Sequence, residues 1–101
     1  MDAAVLMLGE RVIGRLDDIR PDMPWYVARF TATEAFAEVE TLFWRELALA
    51  ESEDGFDADE WQKAWEQLWR RGVALHLPDG ERLVRDFAVH VYDDGTARFR
   101  Y

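Results

Sequence analysis

Apolar residues between positions 31 and 71 recur at three- and four-residue steps, the spacing of one face of an α-helix. In segment 31–50 the recurring residues are Phe36, Val39, Phe43, Leu47 and Ala50. In segment 57–71 they are Trp61, Trp65, Leu68 and Trp69. The pattern predicts two amphipathic helices, and the short acidic connection between them favours an antiparallel helical hairpin.

Residues at the ends of these segments support both helices. Thr31 and Asp57 each precede a glutamate by three residues, the capping-box spacing in which two side chains satisfy free backbone N–H groups. Arg70 and Arg71 suit the carbonyl end of the second helix, and Gly72 can adopt the left-handed conformation that ends it. We therefore expect the second helix to be defined at both ends.

Short apolar runs on both sides of the helical block predict β-strands. The runs are 5–8, 11–16 and 25–30 before the helices, and 73–77, 82–92 and 97–101 after them. Segment 17–24 holds three Asp and two Pro and is predicted to be a loop. We predict an α+β fold in one domain, 1–101: a mostly antiparallel sheet of five or six strands, with the helical hairpin packed on one face.

The register of the last two strands follows from their alternating pattern. A three-residue loop at 93–95, with Gly95 left-handed, places Phe87, Val89 and Val91 on one face with Ala97, Phe99 and Tyr101. A two-residue loop would mix apolar and charged residues on each face. In the three-residue register, His90 lies on the other face beside Arg98, where we expect it to point outward.

Charge and composition narrow the classes of function. The net charge is −9, from 21 acidic and 12 basic residues, which disfavours nucleic acid and anionic membranes as partners. The longest apolar stretch, Ala3–Leu8, is far too short to span a bilayer, and the N-terminus lacks the basic region of a secretory signal. The absence of cysteine excludes disulfides and thiolate chemistry. We expect a cytoplasmic protein.

Familiar chemical motifs are absent from the sequence. Segment 51–60 carries six carboxylates, but aligning Gly55 with the EF-hand glycine places Ala50 and Trp61 where calcium ligands are required. The two histidines and the single serine, Ser52, have no catalytic spacing, and there is no glycine-rich phosphate loop. We expect no catalytic residue, no metal site and no cofactor.

One acid breaks the helical pattern. Glu46 falls inside the apolar arc of the first helix, where a buried carboxyl group could line a pocket. The alternative is a structural position, at the edge of the helix or paired with Arg29 or Arg85. If a pocket exists between sheet and helices, Glu46, Arg29 and Trp25 are its candidate lining residues.

The predicted loop and the strand after it contain candidate partner-binding residues. These are Arg20, Asp22, Met23, Trp25 and Tyr26. Loops often carry function, and Trp, Tyr and Arg dominate binding hot spots. The alternative is that Met23 and Trp25 cover one end of the core.

Several of these sequence features together resemble those of a known group of proteins. The Asp22-x-Pro24-Trp25-Tyr26 turn, the strand ending at Phe30, the acid-rich helical pair and the C-terminal hairpin ending Phe99-Arg100-Tyr101 together resemble a group of small uncharacterised bacterial proteins. The resemblance covers most of the chain. It implies no activity, so no functional residue is transferred.

The sequence therefore favours a non-enzymatic, cytosolic protein-interaction domain with an acidic surface. Its partner would be another protein or a second copy of the chain in a homodimer. The alternative is a small-molecule binder or minor enzyme with a pocket between the sheet and the helices. A pocket associated with Glu46 would favour this alternative.

Overall fold

The computed structural model describes residues 3–101, so Met1 and Asp2, the first positions of the predicted domain, lie outside the described residues. Within this range, the elements in chain order are β1 (Ala4–Leu8), β2 (Arg11–Asp22), β3 (Trp25–Ala32), a 3₁₀ helix (Glu34–Glu38), α1 (Glu40–Ala50), α2 (Ala58–Arg70), β4 (Val73–His76), β5 (Arg82–Leu83), β6 (Ala88–Val91) and β7 (Thr96–Arg100). The α+β class is confirmed. The prediction of five or six strands is wrong, because seven strands are formed in residues 3–101.

The seven strands of this range form one antiparallel sheet in the order β5-β4-β1-β2-β3-β7-β6. Helix α1 contacts β6 at one end of the sheet, and helix α2 contacts β4 near the other end. The sheet is therefore curled, and the two helices bridge its ends. No helix in residues 3–101 combines the length and the apolar character needed to cross a membrane.

The two helices run antiparallel and enclose the centre of the core. Phe43 of α1 meets Trp65 of α2 edge-to-face at 6.0 Å, while Glu46, one turn later in α1, contacts Trp61, one turn earlier in α2. Phe43 and Trp65 are both buried. The Trp stripe predicted on the second helix thus packs partly into the core.

The ends of the second helix are as expected, but the start of the first is not. Asp57 accepts a hydrogen bond from the Glu60 backbone N–H at 3.1 Å, and Gly72 has φ +94°. Thr31, by contrast, pairs with Arg15 in the sheet instead of capping a helix. The chain passes through a 3₁₀ helix before α1 begins at Glu40, so the prediction of one continuous helix over 31–50 is wrong.

The predicted loop at 17–24 is mostly strand. Strand β2 continues to Asp22 through an irregularity between Asp17 and Arg20, and Pro21 and Asp22 pair with Tyr26 and Trp25 of β3. Proline is tolerated there because β1 pairs only with Arg11–Leu16, so the distal part of β2 has one neighbouring strand.

The predicted strand 82–92 is divided into two strands at opposite ends of the sheet. Its first part is β5 and its second part is β6, and Asp86 between them has φ 61°. Phe87 packs on Trp65 and Trp69 at ring distances of 5.6 and 6.4 Å. This division accounts for the additional strand.

The register of the C-terminal hairpin is confirmed. Val89 pairs with Phe99 and Val91 with Ala97, and all four side chains are buried. Gly95 has φ +88°, as the three-residue loop requires.

Candidate functional site

A buried acid lies where α1, α2 and β6 meet. The Glu46 side chain is 0% exposed. Its Oε1 accepts a hydrogen bond from the Trp61 indole N–H at 2.9 Å and lies 2.6 Å from Nδ1 of His90. Among the residues that the structure describes, Oε2 has no hydrogen-bond partner. Burial of a carboxyl group with so few partners is costly, which singles out this position.

The local sequence places these three side chains together. Glu46 lies three residues after Phe43, so the helix directs both toward α2. The Asp57 cap starts α2 one residue later and brings Trp61 into its first turn. His90 lies in β6, the edge strand that α1 covers.

The contact between His90 and Glu46 is short but not linear. Nδ1 and Oε1 are at ion-pair distance, yet the direction of the ring N–H does not meet the geometry of a hydrogen bond. A proton on either the imidazole or the carboxyl group makes the contact attractive, since two unprotonated atoms would oppose their lone pairs. With Nδ1 turned to Glu46, Nε2 is the ring nitrogen left for other partners.

Trp25 packs against the ring of His90. The two ring centroids are 4.8 Å apart. The guanidinium groups of Arg98 and Arg100 lie 5.8 and 5.5 Å from the Trp25 ring centroid, within the range of a cation–π contact. Arg98 also pairs with Asp22 at 2.9 Å. The arginine, tryptophan and histidine side chains thus form a layer between solvent and the buried carboxyl group of Glu46.

A cleft of about 650 Å³ opens beside this layer, between α2 and the β6–β7 end of the sheet. Seven aromatic side chains line it: Trp25, Phe56, Trp61, Trp65, Trp69, Phe87 and Tyr101. Phe56 and Tyr101 are 58% and 60% exposed, so the rim of the cleft is itself aromatic. Glu46 lies behind the wall formed by Trp61 and His90.

Charged side chains lie among the aromatic groups of the cleft. Arg85 contacts the Glu66 carboxylate at 3.3 Å and lies 5.3 Å from the Trp69 ring centroid. Arg100 has no carboxylate within 4.0 Å among residues 3–101. The cleft thus contains one neutralised cation and one cation without an acidic partner.

The phenol at the rim is protonated at neutral pH. Partial burial, and next the hydrogen bond and charge of Tyr26, raise the pKa of Tyr101 above its usual value. The two rings are stacked at 5.8 Å. Tyr101 therefore presents a neutral hydroxyl group and an aromatic face to the cleft.

The structure separates the predicted pocket residues. Trp25 lines the cleft, and Glu46 lies immediately behind it. Arg29 lies elsewhere, paired with Asp18 at 3.0 Å in a shallow depression that also includes Arg20. Glu46 pairs with neither Arg29 nor Arg85.

The predicted partner-binding residues are spread along the β2–β3 hairpin. Met23 lies at its turn and is 79% exposed. Asp22 is engaged with Arg98, and Tyr26 stacks on Phe99 at 5.3 Å. Arg20 is exposed. Tyr26 is partly buried against the core, while Met23 points to solvent.

Sequence reasoning missed His90 and Trp61 as the partners of Glu46. The predicted register correctly pairs His90 with Arg98. The prediction that His90 points outward is wrong, because Trp25 and the helices cover this face of the hairpin. The sequence did contain a signal for this contact. An acid within an apolar arc needs a hydrogen-bond donor as its partner, and the chain has only two histidines as candidates of that type.

No group of three or more potential metal-ligating side chains converges in residues 3–101. Comparison with protein-family models, with curated proteins and with solved structures finds no match for this chain.

Proposed function

We propose that this protein binds a small ring-bearing molecule in the aromatic cleft. The observation that carries the proposal is the cleft itself, with about 650 Å³ of space and seven aromatic side chains on its walls and rim. Binding sites for small molecules are typically concave, roughly 300–1,000 Å³ in volume, and lined by aromatic groups with few polar ones. A planar ring would gain both apolar burial and stacking there.

Binding is a better interpretation than covalent catalysis. His90 is backed by a buried carboxyl group, an arrangement that can orient an imidazole. However, no serine, threonine or lysine is among the residues that line the cleft within positions 3–101. The cleft thus combines a binding surface and a polar histidine without an adjacent aliphatic hydroxyl or amine nucleophile.

The five tryptophans allow a direct test. Four of them line the cleft, while Trp44 lies outside it and its indole N–H donates to Glu40 at 3.2 Å. Titration with naphthalene-2-methanol, a neutral bicyclic probe, can be followed through the indole N–H signals by NMR. We expect saturable shifts for Trp25, Trp61, Trp65 and Trp69, and a much smaller shift for Trp44.

A rim variant and a matched control sharpen this test. Phe56→Ala removes an exposed aromatic side chain from the rim. It should weaken binding of the probe several-fold, since stacking on one ring contributes about 1 kcal/mol. Val12→Ala removes an exposed apolar side chain outside the cleft and should leave binding unchanged. Equal shifts of all five indoles, or no saturable shift, would contradict the proposal.

A protein-interaction function is the second candidate. Its specific support is that Met23 and Val84, at 79% and 57% exposure, are large apolar side chains outside the cleft. Light scattering would report self-association directly, because one chain has a mass of 11.8 kDa. A dimer that dissociates in Met23→Glu would support a homodimer formed through the β2–β3 turn, whereas a monomer at high concentration would exclude self-association.

A further inference from the structure

We infer that the ligand of the cleft is an aromatic carboxylate, whose anionic group is held between Arg100 and His90 at the Trp25 end. This inference depends on the proposed binding function and specifies the ligand's charge. It derives from the register of the C-terminal hairpin, the contacts around Trp25 and the pairing of the neighbouring charges.

The hairpin register brings Arg100 and His90 together. Ala88 pairs with Arg100 and His90 pairs with Arg98, so His90 and Arg100 are diagonal neighbours on the same face of the sheet. Diagonal neighbours in an antiparallel pair lie about 7–8 Å apart, within reach of long side chains. Both side chains contact the Trp25 ring, and both line the cleft.

Arg100 is the cation available to a ligand at this end. Arg98 is engaged by Asp22, and Arg85 by Glu66. In residues 3–101, Arg100 has a cation–π contact with Trp25 but no acidic partner within 4.0 Å. A planar guanidinium group in this position presents paired N–H donors that match the two oxygens of a carboxylate.

His90 adds a polar contact directed to the same place. Its Nδ1 lies against Glu46, which leaves Nε2 as the nitrogen available to the cleft. When it carries a proton, Nε2 donates to an acceptor such as a carboxylate oxygen. The carboxyl group of Glu46 does not meet a ligand directly, because that side chain is 0% exposed.

One acid of the cleft, Glu66, is paired with Arg85, whose guanidinium group lies 5.3 Å from the Trp69 ring centroid. This neutralised pair therefore lies at Trp69, whereas Arg100, which has no acidic partner within 4.0 Å among residues 3–101, lies at Trp25. The net charge of −9 repels anions at long range, so the preference for an anion must come from these short contacts.

Three probes that share a naphthalene ring and carry an anionic, a neutral or a cationic substituent test this inference. They are naphthalene-2-carboxylate, naphthalene-2-methanol and naphthalen-2-ylmethylammonium, titrated at neutral pH and 150 mM salt by calorimetry and by the indole NMR signals. We expect the carboxylate to bind roughly 3- to 10-fold more tightly than the alcohol, as one partly exposed charge-assisted pair would provide. The ammonium probe should bind no better than the alcohol.

A charge-removing variant with a matched control assigns the effect to Arg100. Arg100→Gln should abolish the preference for the carboxylate, measured as the ratio of the carboxylate and alcohol affinities within the same variant. Arg45→Gln removes the same charge from an exposed position on α1 outside the cleft, where Arg45 has no acidic partner within 4.0 Å in the described part of the chain, and should retain the preference. Because both arginines are exposed, both variants are expected to fold.

The outcomes separate the two proposals. If the alcohol binds but the carboxylate binds no more tightly, or if the ammonium binds best, the inference about charge is wrong and the cleft remains a binding site. If the preference persists in Arg100→Gln, another group selects the anion and the inference is overturned. If none of the three probes binds, both the inference and the proposed function fail.

Discussion

Replacement of Glu46 by leucine tests whether the buried acid stabilises the fold. Leucine occupies a similar volume and suits the apolar surroundings of α1, so the main change is the loss of the carboxylate oxygens. The Trp61 indole N–H would lose its acceptor, and His90 would lose the atom 2.6 Å from its Nδ1. Phe43 and the rest of the α1–α2 contact would be unchanged.

The expected loss in the free energy of unfolding is about 2–4 kcal/mol. Leaving a buried polar group without its partner costs roughly 1–3 kcal/mol, and both Trp61 and His90 lose their contact with Glu46. Two effects reduce the total. Trp61 is only partly buried, so water can reach its indole group, and leucine recovers about 1 kcal/mol by burying apolar surface.

Urea denaturation monitored by circular dichroism measures this loss. With a slope of about 1–3 kcal/mol/M, a loss of 3 kcal/mol lowers the midpoint by about 1–3 M. Glu46→Gln is the matched control, because its amide oxygen can still accept the bond from Trp61, and we expect it to cost less than the leucine variant. Equal or greater stability of Glu46→Leu would refute the stabilising role of the carboxyl group.

Three further predictions concern the core and the C-terminal turn. Trp65→Ala should cost about 3–5 kcal/mol in urea denaturation, because this side chain is fully buried; a stable variant would contradict its core role. Gly14→Ala should cost about 1–3 kcal/mol, because the added methyl group would overlap the Phe30 ring, so undiminished stability would contradict this packing. Hydrogen bonds from the hydroxyl and backbone N–H of Thr96 lower the pKa of Asp94 below 3.8. NMR titration should therefore show this pKa rising in Thr96→Val, and an unchanged value would contradict the assigned cause.

The Asp94 prediction also sets the direction of a pH effect. Because the carboxyl group has a lower pKa when folded than when unfolded, its ionisation stabilises the fold above about pH 3.8. This contribution is lost as the pH falls through the folded value. The acid limb of the stability curve should therefore be shallower in Thr96→Val. For Tyr92, burial raises the pKa of the phenol, so its contribution is lost as the pH rises above 10.

Local sequence accounts for the second helix and for the last hairpin. Asp57 and Gly72 act through backbone groups within a few residues, so their effects could be predicted without knowledge of the rest of the fold. The register at 93–95 was also predictable, because one alternative buries charged groups and the other does not. In both cases, the deciding interaction lies within the segment itself.

Prediction from local sequence failed in two segments whose residues are compatible with two different structures. Thr31 has the spacing of a helix cap, but its pairing with Arg15 extends β3 instead. The segment at 17–24 has the composition of a loop, yet its backbone groups find partners on β3. Pairing within the β2–β3 hairpin outweighed local preference in both segments, because the backbone groups of each strand are satisfied by the other.

The pattern of the chain by itself determined the α+β class, the two helical segments and the anomaly at Glu46. Only the tertiary structure decided that β5 and β6 lie at opposite ends of the sheet, and that His90 and Trp61 meet Glu46. The physical reason is that the periodicity of a segment specifies which of its faces is apolar. What covers that face depends on how the sheet curls and where the helices close it, which involves contacts between residues far apart in the chain.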